Sequence, residues 1–515
     1  MENMYILLAS ASSIFIAQII WIFRKRRREV QSHPNEWTLF SPLGLFGSSI
    51  LPKIKYISPG VNWPFINKHD IFARSGADYC FSTYAVPSPR NNLLLGDAAM
   101  IKEVVNSRTV FPKPVELYVF LSFFGKNIVV SEGEEWKIYR KIAAPAFSER
   151  NNKLVWDETS RILHELFEEV WGEKEVVTVN HFLDITLPLA LSAISSAGFG
   201  KRMTWDENEA LPLGHIMTFK QSLHIACTQF ISKALLPSWA MGLTSKLRNT
   251  RNGFNELRSY MKEIISERQS TGAIRANDLL SNLLAATDED SRLSEDELIG
   301  NTYMFLLAGH ETTAHTLAFA FALLALYPEE QDKVHQQINS LLTEGASLSY
   351  EDMPKFTYSM AVLYETLRMF PAVIYIPKVA AEDTVLRSTT ENGDPISLSV
   401  PKGTSIALLT PALHYNPRYW EDPHNFKPER FLKDWPRDAF LPFSGGPRAC
   451  IGRKFAEVES IAAITAFISQ YKVTIKEEPQ FAHETFKQKK ERVLKTFNAL
   501  TLTPVRIPLV FTRRS

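Results

Sequence analysis

The chain contains very little cysteine. Its 515 residues include only three, Cys80, Cys227 and Cys450. Three cysteines cannot all pair, and their wide spacing fits neither a disulfide framework nor a zinc site. Such sparse use suits a protein that works in a reducing compartment. Each cysteine therefore has to be judged by its own local sequence.

The chain also lacks an excess of charge of either sign. Lysine and arginine number 57, aspartate and glutamate number 56, and the formal net charge is +1. This balance provides no strong field for binding nucleic acid, so no nucleic-acid partner is expected. The sequence shows no internal repeat, low-complexity tract or long Gly/Ser linker, and 45% of its residues are apolar. A chain of this composition can build one large core.

The N-terminus carries a long apolar run. Met4 to Phe23 is interrupted only by small polar residues and one glutamine, and its length is close to the ~20 residues that span a bilayer. The basic cluster Arg24 to Arg28 follows, and such charge marks the cytoplasmic side. A cleaved signal peptide carries positive charge before its apolar run, where this chain has only Glu2. The sequence predicts residues 1–28 as a retained transmembrane signal anchor and residues 29–60 as a hinge.

The rest of the chain is predicted to be mainly helical with a minor β region. From Ala98 to Leu342 apolar residues recur at helical spacing, and Phe455 to Tyr471 shows the same pattern. Tyr375 to Ile406 alternates as strands do, and Leu500 to Phe511 is also expected to be strand. We therefore predict an α+β fold that is mainly α, with residues 61–515 forming a single domain.

Cys450 lies in the segment Phe443–Gly452, whose sequence is FSGGPRACIG. Glycine lets backbone approach a flat ligand because it has no Cβ. Backbone N–H groups directed at a sulfur stabilise a thiolate. The alternative is a buried structural cysteine in a turn, which is what a lone cysteine usually is. The match of this segment to a known family pattern at five defined positions favours a ligand-binding loop instead.

The pattern Phe-x-x-Gly-x-Arg-x-Cys-x-Gly resembles the haem-binding loop of the cytochromes P450. The resemblance spans about residues 35 to 510 and implies that Cys450 is the axial thiolate of haem iron, a ligand that favours O–O cleavage. It also implies that Phe443, Gly445 and Arg448 contact the cofactor.

A second motif, Ala308 to Thr313 with the sequence AGHETT, lies inside a long apolar segment. The segment opens with a capping box, Ser294 to Glu297, and closes at Pro328, which would begin the next helix. The motif's glycine and its backbone-bonding threonines would bend the helix. It resembles the oxygen-binding stretch of the P450 central helix, which implies that Glu311 relays protons and Thr312 orients water or bound oxygen. The alternative is a buried helix with a short polar face.

A third set of residues is predicted to be structural. Glu365 and Arg368 share one helix face at i and i+3, although such pairs are usually solvated and weak. The stretch Pro423 to Phe431 resembles the P450 sequence upstream of the haem loop. The resemblance implies that Arg430 joins Glu365 and Arg368 in a buried network that holds the loop of Cys450.

Trp136 and Arg140 are four residues apart, so on a helix they face one way. An indole N–H and a guanidinium that converge can bind a carboxylate, and the resemblance makes that carboxylate a haem propionate, with Arg448 on its other side. The alternative is a surface helix with a packed tryptophan and a snorkelling arginine. Lys378 stands where many relatives carry an arginine that also reaches a propionate, so the resemblance places Lys378 in the cofactor-binding set. Its ammonium lacks the planar fork of a guanidinium.

The resemblance implies a membrane-anchored, haem-thiolate monooxygenase with one P450 catalytic domain. Its cofactors would be haem b, O2 and NADPH-derived electrons, supplied by a separate cytochrome P450 reductase because no flavin domain is visible. Cytochrome b5 is a second candidate partner. The expected location is the endoplasmic reticulum membrane, crossed once, with the catalytic domain in the cytosol.

The sequence resembles those of fungal enzymes of secondary metabolism, so a terpenoid is the first expected substrate. A fatty acid or sterol hydroxylase is the alternative. A haem-based gas sensor or carrier, and relatives that rearrange peroxides, are rivals of another class; neither would require the Glu311–Thr312 pair.

The substrate pocket is predicted by analogy, and for each candidate the alternative is plain core packing. An apolar loop, Leu235 to Met241, is also predicted to dip into the bilayer by the substrate entrance. The pocket candidates are Phe305, Ala308, the segments Val115 to Phe124 and Val373 to Ile376 (Val373 and Ile374 first), and Leu500.

Overall fold

The structure is a computed structural model that describes residues 2–44, 46–73, 76–205, 211–270, 278–288, 293–341, 349–390 and 392–514. The chain forms two compact units. The first unit consists of Met1–Pro114, Leu367–Lys427 and Asp434–Cys450. The second unit consists of Val115–Thr366, Pro428–Lys433 and Ile451–Ser515.

The described part of the chain is mainly helical. Its α-helices are α1 (Glu2–Glu29), α2 (Trp63–Asn67), α3 (Ala98–Asn106), α4 (Gly133–Ala143), α5 (Glu149–Glu165), α6 (Leu183–Phe199), α7 (Phe219–Thr228), α8 (Phe230–Leu235), α9 (Ser245–Ser270), α10 (Leu279–Asp288), α11 (Glu295–Leu326), α12 (Pro328–Leu341), α13 (Thr357–Met369), α14 (Thr410–His414), α15 (Arg453–Gln470) and α16 (Phe486–Val493).

Short strands form the minor β region. They are β1 (Asn35–Phe40), β2 (Tyr79–Val86), β3 (Arg90–Leu95), β4 (Val176–Val179), β5 (Tyr375–Val379), β6 (Thr384–Thr389), β7 (Pro395–Val400), β8 (Ser405–Leu409), β9 (Tyr471–Ile475), β10 (Thr496–Asn498), β11 (Leu502–Pro504) and β12 (Leu509–Arg513).

The first unit is built on a five-stranded sheet in the order β1-β2-β3-β8-β5. Strand β3 lies in the middle, antiparallel to β2 and parallel to β8. Its apolar end, Leu93 to Leu95, is completely buried, because a central strand can be covered on both faces. Trp63, Phe72 and Cys80 pack around Leu94 in one cluster. The hairpin of β6 and β7 forms a separate antiparallel pair.

The second unit is organised around α11, which has 32 residues. Ser294 is its N-cap and forms a reciprocal capping box with Glu297, which satisfies two otherwise unpaired backbone donors. The helix ends before Pro328, which begins α12. Most of α11 is buried, as expected for a helix that is apolar on all sides. The predicted limits of this helix are confirmed.

An aromatic core lies elsewhere in the second unit. Phe467 of α15 contacts Phe167, Phe182, Phe321 and Phe511 at ring-centroid distances of 5.0 to 5.7 Å. Strand β12 pairs with both β4 and β9. Aromatic contacts of this kind add to the energy of simple burial, and they fix the position of α15, the helix that follows Cys450.

The expectation of a mainly α fold with a minor β region is confirmed. The helix predicted at Phe455 to Tyr471 is α15, and the strands predicted from Tyr375 to Ile406 are β5 to β8. Strand β4, within the stretch predicted as helical, was missed. The N-terminal run forms α1, a helix of 28 residues. Among the residues that the structure describes, none of the helices combines the length and hydropathy of a membrane span.

Candidate active site

The loop that carries Cys450 is closed by its own backbone. Cys450 N donates to Phe443 O at 2.9 Å, and Ala449 N donates to Gly446 O at 3.0 Å. Ser444 and Gly446 both have positive φ, at 58° and 62°. Cys450 is exposed, whereas Cys80 and Cys227 are buried. The loop therefore presents the thiol instead of covering it, which is unlike the usual buried structural cysteine.

Two glycines of this loop lie directly against α3. A Cβ at Gly446 would stand 2.2 Å from Val105 O, and a Cβ at Gly445 would stand 2.9 Å from Val105 Cγ2. A side chain at Gly446 would collide with backbone, which cannot swing away. Glycine is therefore required at 446 for two reasons, the positive φ and the close approach.

Two basic residues of the first unit belong to the predicted cofactor set. Arg448 is half-buried in a short 3-10 turn, Gly446–Arg448, two positions before Cys450. Lys378 lies on β5 opposite Ile406 and is buried. A buried ammonium is stable only beside acceptors or a counter-charge. Both side chains are compatible with binding a carboxylate-bearing ligand.

Arg368 is completely buried in the first unit. Its Nη1 donates to His414 O at 2.8 Å, and its guanidinium lies over the rings of Tyr415 and Trp420 at 5.4 and 5.5 Å. His414 Nδ1 in turn donates to Arg368 O at 3.0 Å, and His414 Nε2 accepts from Leu441 N at 2.8 Å. Arg368 and His414 thus tie the end of α13 to the start of the Cys450 loop.

Sequence reasoning missed His414. Burial, and then the nearby Arg368 charge, lower its pKa to about 3, so the ring stays neutral and can use one nitrogen as donor and the other as acceptor. No signal in the sequence sets this histidine apart, since its partners lie 46 and 27 residues away.

The other half of the predicted network lies in the second unit. Arg430 Nε is 3.1 Å from Glu365 Oε1. Glu365 and Arg368 stand three residues apart on α13, and both are completely buried. The predicted pairing of Arg430 with Glu365 is therefore present, and its role in holding the haem loop stays a prediction.

Helix α4 of the second unit carries the predicted carboxylate clamp. Trp136 is buried and Arg140 is half-buried. The Arg140 guanidinium lies 5.7 Å from the centroid of the Trp136 ring, as the four-residue spacing predicts. The pair places a guanidinium over a tryptophan ring, and the guanidinium and the indole N–H are both donors of the kind that a propionate can accept from.

Helix α11 is buried along most of its length, but beyond its exposed first turn it opens to solvent around Ala308. Ala308 is exposed, and Gly309 and Thr312 are half-exposed. Thr312 Oγ1 donates to Ala308 O at 2.9 Å, the predicted bond back to the preceding turn. A Cβ at Gly309 would lie 2.8 Å from Ile194 Cγ1 of α6. The glycine therefore lets α6 pack closely against α11 at this stretch.

Glu311 follows this opening but is buried. Its Oε2 finds no hydrogen-bond partner among the described residues. Burial raises its pKa to about 8, because desolvation disfavours the charged form. At neutral pH the carboxyl is mostly protonated, so it can donate a proton.

His310 beside it is a second group that sequence reasoning did not use. His310 Nδ1 lies 2.8 Å from Leu306 O, and its Nε2 lies 4.0 Å from Cys227 Sγ of α7. Burial lowers the pKa of His310 to about 4, so the ring is neutral. A neutral imidazole that donates from Nδ1 leaves Nε2 as an acceptor for the Cys227 thiol.

The pocket candidates divide by exposure. In the second unit, Ala308 is exposed and Leu500 is half-buried in the turn between β10 and β11, but Phe305 is buried against Phe147 at 6.2 Å. In the first unit, Val373 is exposed and Ile374 is buried. The segment Val115–Leu121 is a 3-10 helix whose Leu117 and Val119 are exposed. Burial of Phe305 and Ile374 is what core residues show, and Leu121 and Phe124 of the candidate segment Val115 to Phe124 are buried in the same way. Ala308, Leu117, Val119, Val373 and Leu500 are at least partly accessible.

The donor set fits haem b. Haem requires an axial ligand for its iron and hydrogen-bond donors for its two carboxylates. The axial ligand and the hydrogen bonds around it are how a protein adjusts the chemistry of haem. The first unit offers an exposed thiol at Cys450 with Arg448 on the same loop. The second unit offers the Trp136–Arg140 pair. Gly446 of the Cys450 loop is needed to hold the backbone that presents the thiol.

Comparison with known proteins places the chain in a family. The family model described as Cytochrome P450 matches residues 79–496. Cytochrome P450 monooxygenase 124 of Postia placenta is 47% identical over 500 residues, 96% of this chain and 96% of that protein. Cyclooctat-9-en-7-ol 5-monooxygenase of Streptomyces melanosporofaciens is 30% identical over 390 residues, 73% of this chain and 78% of that protein.

A solved structure shows the same fold. The crystal structure of the cytochrome P450DA heme domain has a TM-score of 0.70 and 26% identity to this chain, and the match covers 84% of this chain and 90% of that one. The family match includes the Trp136–Arg140 pair, the open stretch of α11 and the Cys450 loop. This chain belongs to the cytochrome P450 family and is a monooxygenase, an oxidoreductase.

Proposed function

We propose that this monooxygenase hydroxylates or epoxidises an apolar small molecule, with a terpenoid as the first candidate substrate. Bound haem supplies dioxygen activation and the transfer of one oxygen atom. The observation that carries the proposal is the exposed Cys450 thiol, which a closed glycine loop presents for metal ligation. A low-pKa thiolate is the form that binds metal.

The chain's own residues have separate tasks in this proposal. Cys450 binds the iron, and Arg448, Trp136 and Arg140 hold carboxylates. Thr312 presents a hydroxyl at the open stretch of α11 and orients water there. Glu311, mostly protonated at neutral pH, delivers a proton, which is the role of a general acid whose pKa lies near the working pH.

An apolar substrate is supported by what the candidate segments contain. Leu117, Val119 and Val373 are exposed apolar side chains, and binding sites for small molecules are mostly apolar with few polar groups. One relative is named for the oxidation of cyclooctat-9-en-7-ol, an unsaturated alcohol. These points favour a terpenoid of secondary metabolism, and a fatty chain or a sterol is the second candidate.

We propose further that the protein works at the endoplasmic reticulum membrane. The support is the sequence itself, in which Met4 to Phe23 is apolar and Arg24 to Arg28 is basic. This order leaves the catalytic domain in the cytosol. Electrons would then come from a separate NADPH-dependent P450 reductase on the same membrane, with cytochrome b5 as a second donor.

The first test is the carbon monoxide difference spectrum of the reduced protein. Wild type is expected to give the strongly red-shifted Soret band of a thiolate ligand, and Cys450→Ala is expected to lose it. Cys80→Ala is the matched control and should keep the band. An unshifted band in folded wild type would mean that the ligand is not a thiolate, and the proposal would fail.

A second test separates an oxygenase from a gas sensor or carrier. Added P450 reductase should cause NADPH consumption that depends on an apolar substrate and on Cys450. If the protein binds carbon monoxide but consumes no NADPH with any substrate added, the result would favour a gas sensor.

A further inference from the structure

We propose that Tyr139 is a positioning residue for haem. Its hydrogen bond to Glu297 fixes α4 against the first turn of α11, and so holds Trp136 and Arg140 where they retain the cofactor. This inference rests on the proposed function, because it assumes that the Trp136–Arg140 pair binds haem.

Tyr139 shares a face of α4 with Trp136 of the clamp. It is three residues after Trp136, and side chains three apart on a helix are neighbours. Arg140 follows Tyr139 directly in the chain. Only 2% of Tyr139 is exposed. Its hydroxyl donates to Glu297 Oε1 at 2.5 Å. A rigid, buried ring in this position leaves α4 little freedom to turn about its own axis.

Glu297 is itself held in place by its second oxygen. Its Oε2 accepts from Ser294 N at 2.8 Å and from Ser294 Oγ at 2.7 Å, and this is the capping box of α11. The Glu297 carboxylate therefore caps its own helix, α11, and also anchors α4. A partner fixed by the helix cap positions α4 more firmly than a mobile surface side chain would.

The protonation states keep this bond intact. Burial, followed by the hydrogen bond to Glu297, raises the pKa of Tyr139, so the phenol remains a donor. Burial alone would raise the pKa of Glu297, but the hydrogen bonds from Tyr139 and Ser294 lower it, so the acceptor is a carboxylate. Hydrogen bonds with an ionised acceptor are stronger than neutral ones.

The segment that leads into α4 is fixed to α11 at an earlier point. Ile128 N donates to Asn301 Oδ1 at 2.9 Å. A Cβ at Gly300 would lie 2.6 Å from Gly125 O, so the two backbones touch. These contacts hold the start of the segment. Tyr139 adds a second attachment, within α4 itself, and two attachments are needed to fix the direction of a helix.

The experiment measures haem loss from the full-length holoprotein of Tyr139→Phe into an excess of a haem-scavenging apoprotein. Loss should be faster by on the order of tenfold, by analogy with the loss of residues that orient the ligands of a metal. Tyr350→Phe is the matched control, because Tyr350 donates to Glu149 Oε2 at 2.5 Å on an exposed surface of the same unit. Its rate should equal that of wild type.

A second variant tests whether Tyr139 acts through the clamp. In an Arg140→Ala background, Tyr139→Phe should add little further acceleration, since residues that act as a unit are not additive. Unchanged haem loss in Tyr139→Phe, equal acceleration in Tyr350→Phe, or full additivity with Arg140→Ala would each overturn the inference. Wild type that takes up no haem would instead overturn the proposed function.

Discussion

Arg430 Nε lies 3.1 Å from Glu365 Oε1, and the two residues are 65 positions apart in the sequence. The Glu365 side chain is 0% exposed and the Arg430 side chain 12%. A carboxylate removed from water to this extent depends on its partners, because an isolated buried charge is very costly. The pair is therefore part of the structure of the second unit and unlike the solvated pairs on its surface.

The first prediction concerns this pair. Arg430→Leu should destabilise the protein by about 3–5 kcal/mol, because it leaves a buried carboxylate without its guanidinium. Lys427→Ala is the control in the same stretch, since Lys427 pairs with Asp422 in solvent and should matter by less than about 1 kcal/mol. Urea unfolding of both variants measures the difference. Equal midpoints would mean that the buried pair has no structural importance.

Gly446→Ala is expected to abolish stable haem binding. The new Cβ would stand 2.2 Å from Val105 O at a φ of +62°, so the loop must move and carry Cys450 with it. Gly403→Ala is a matched control because its φ is +82° with open space around it. That variant should show only the cost of a left-handed residue, about 1–2 kcal/mol.

The readouts for these two glycines are the carbon monoxide spectrum and thermal unfolding. Gly403→Ala should keep the full red-shifted band with a slightly lower midpoint, and Gly446→Ala should lose the band. A Gly446→Ala protein that retains the band would show that the loop tolerates displacement, contrary to the packing against Val105.

The features that sequence predicts correctly here are local ones. The start of α11 follows from Ser294 and Glu297, three residues apart, and its end follows from Pro328. The bond from Thr312 to Ala308 is likewise contained within one turn. Helix limits of this kind depend on a few neighbouring residues, so one sequence is sufficient to place them.

The features that sequence misses join distant parts of the chain. Glu297 was identified as a helix cap, but its second partner, Tyr139, is 158 residues away. His414 is similarly unremarkable in sequence, although it binds both Arg368 and Leu441. Strand β4 has only four residues, and its partner β12 lies at the other end of the chain. Such contacts depend on tertiary packing, which local patterns do not encode.

Glu311 should make stability depend on pH. Burial raises its pKa from an ordinary value of 4.5 to about 8, so the folded state binds the proton more tightly than the unfolded state does. Its contribution to stability is complete below about pH 4.5 and is lost as pH rises towards about 8. Glu311→Gln cannot titrate. The wild-type melting temperature should therefore fall relative to that of Glu311→Gln across this window, and a constant difference would contradict a buried, protonated Glu311.

Thr312 and Thr316 allow a matched comparison on one helix. Both hydroxyls donate to the carbonyl four residues earlier, at 2.9 and 2.8 Å, but Thr312 is half-exposed and Thr316 is buried. Thr312→Ala should lower the product formed per NADPH by at least about tenfold, given that a positioned proton-transfer group contributes roughly 10²-fold or more. Thr316→Ala should leave this ratio unchanged. The ratio is measured from NADPH oxidation and product together, and equal losses would reduce Thr312 to a helix-bending role.

The loop Leu235 to Met241 is predicted to contact the bilayer, and its side chains differ in exposure. Trp239 is 74% exposed and Leu235 60%, whereas Ala240 and Met241 are buried. A cluster of exposed apolar groups marks an interaction surface. Tryptophan favours the membrane–water interface. Liposomes of brominated lipid should quench the tryptophan fluorescence of wild type more strongly than that of Trp239→Phe. The protein has ten tryptophans, and the difference between the two proteins isolates the contribution of Trp239. Equal quenching in both proteins would place Trp239 in water and leave only the N-terminal run to bind the membrane.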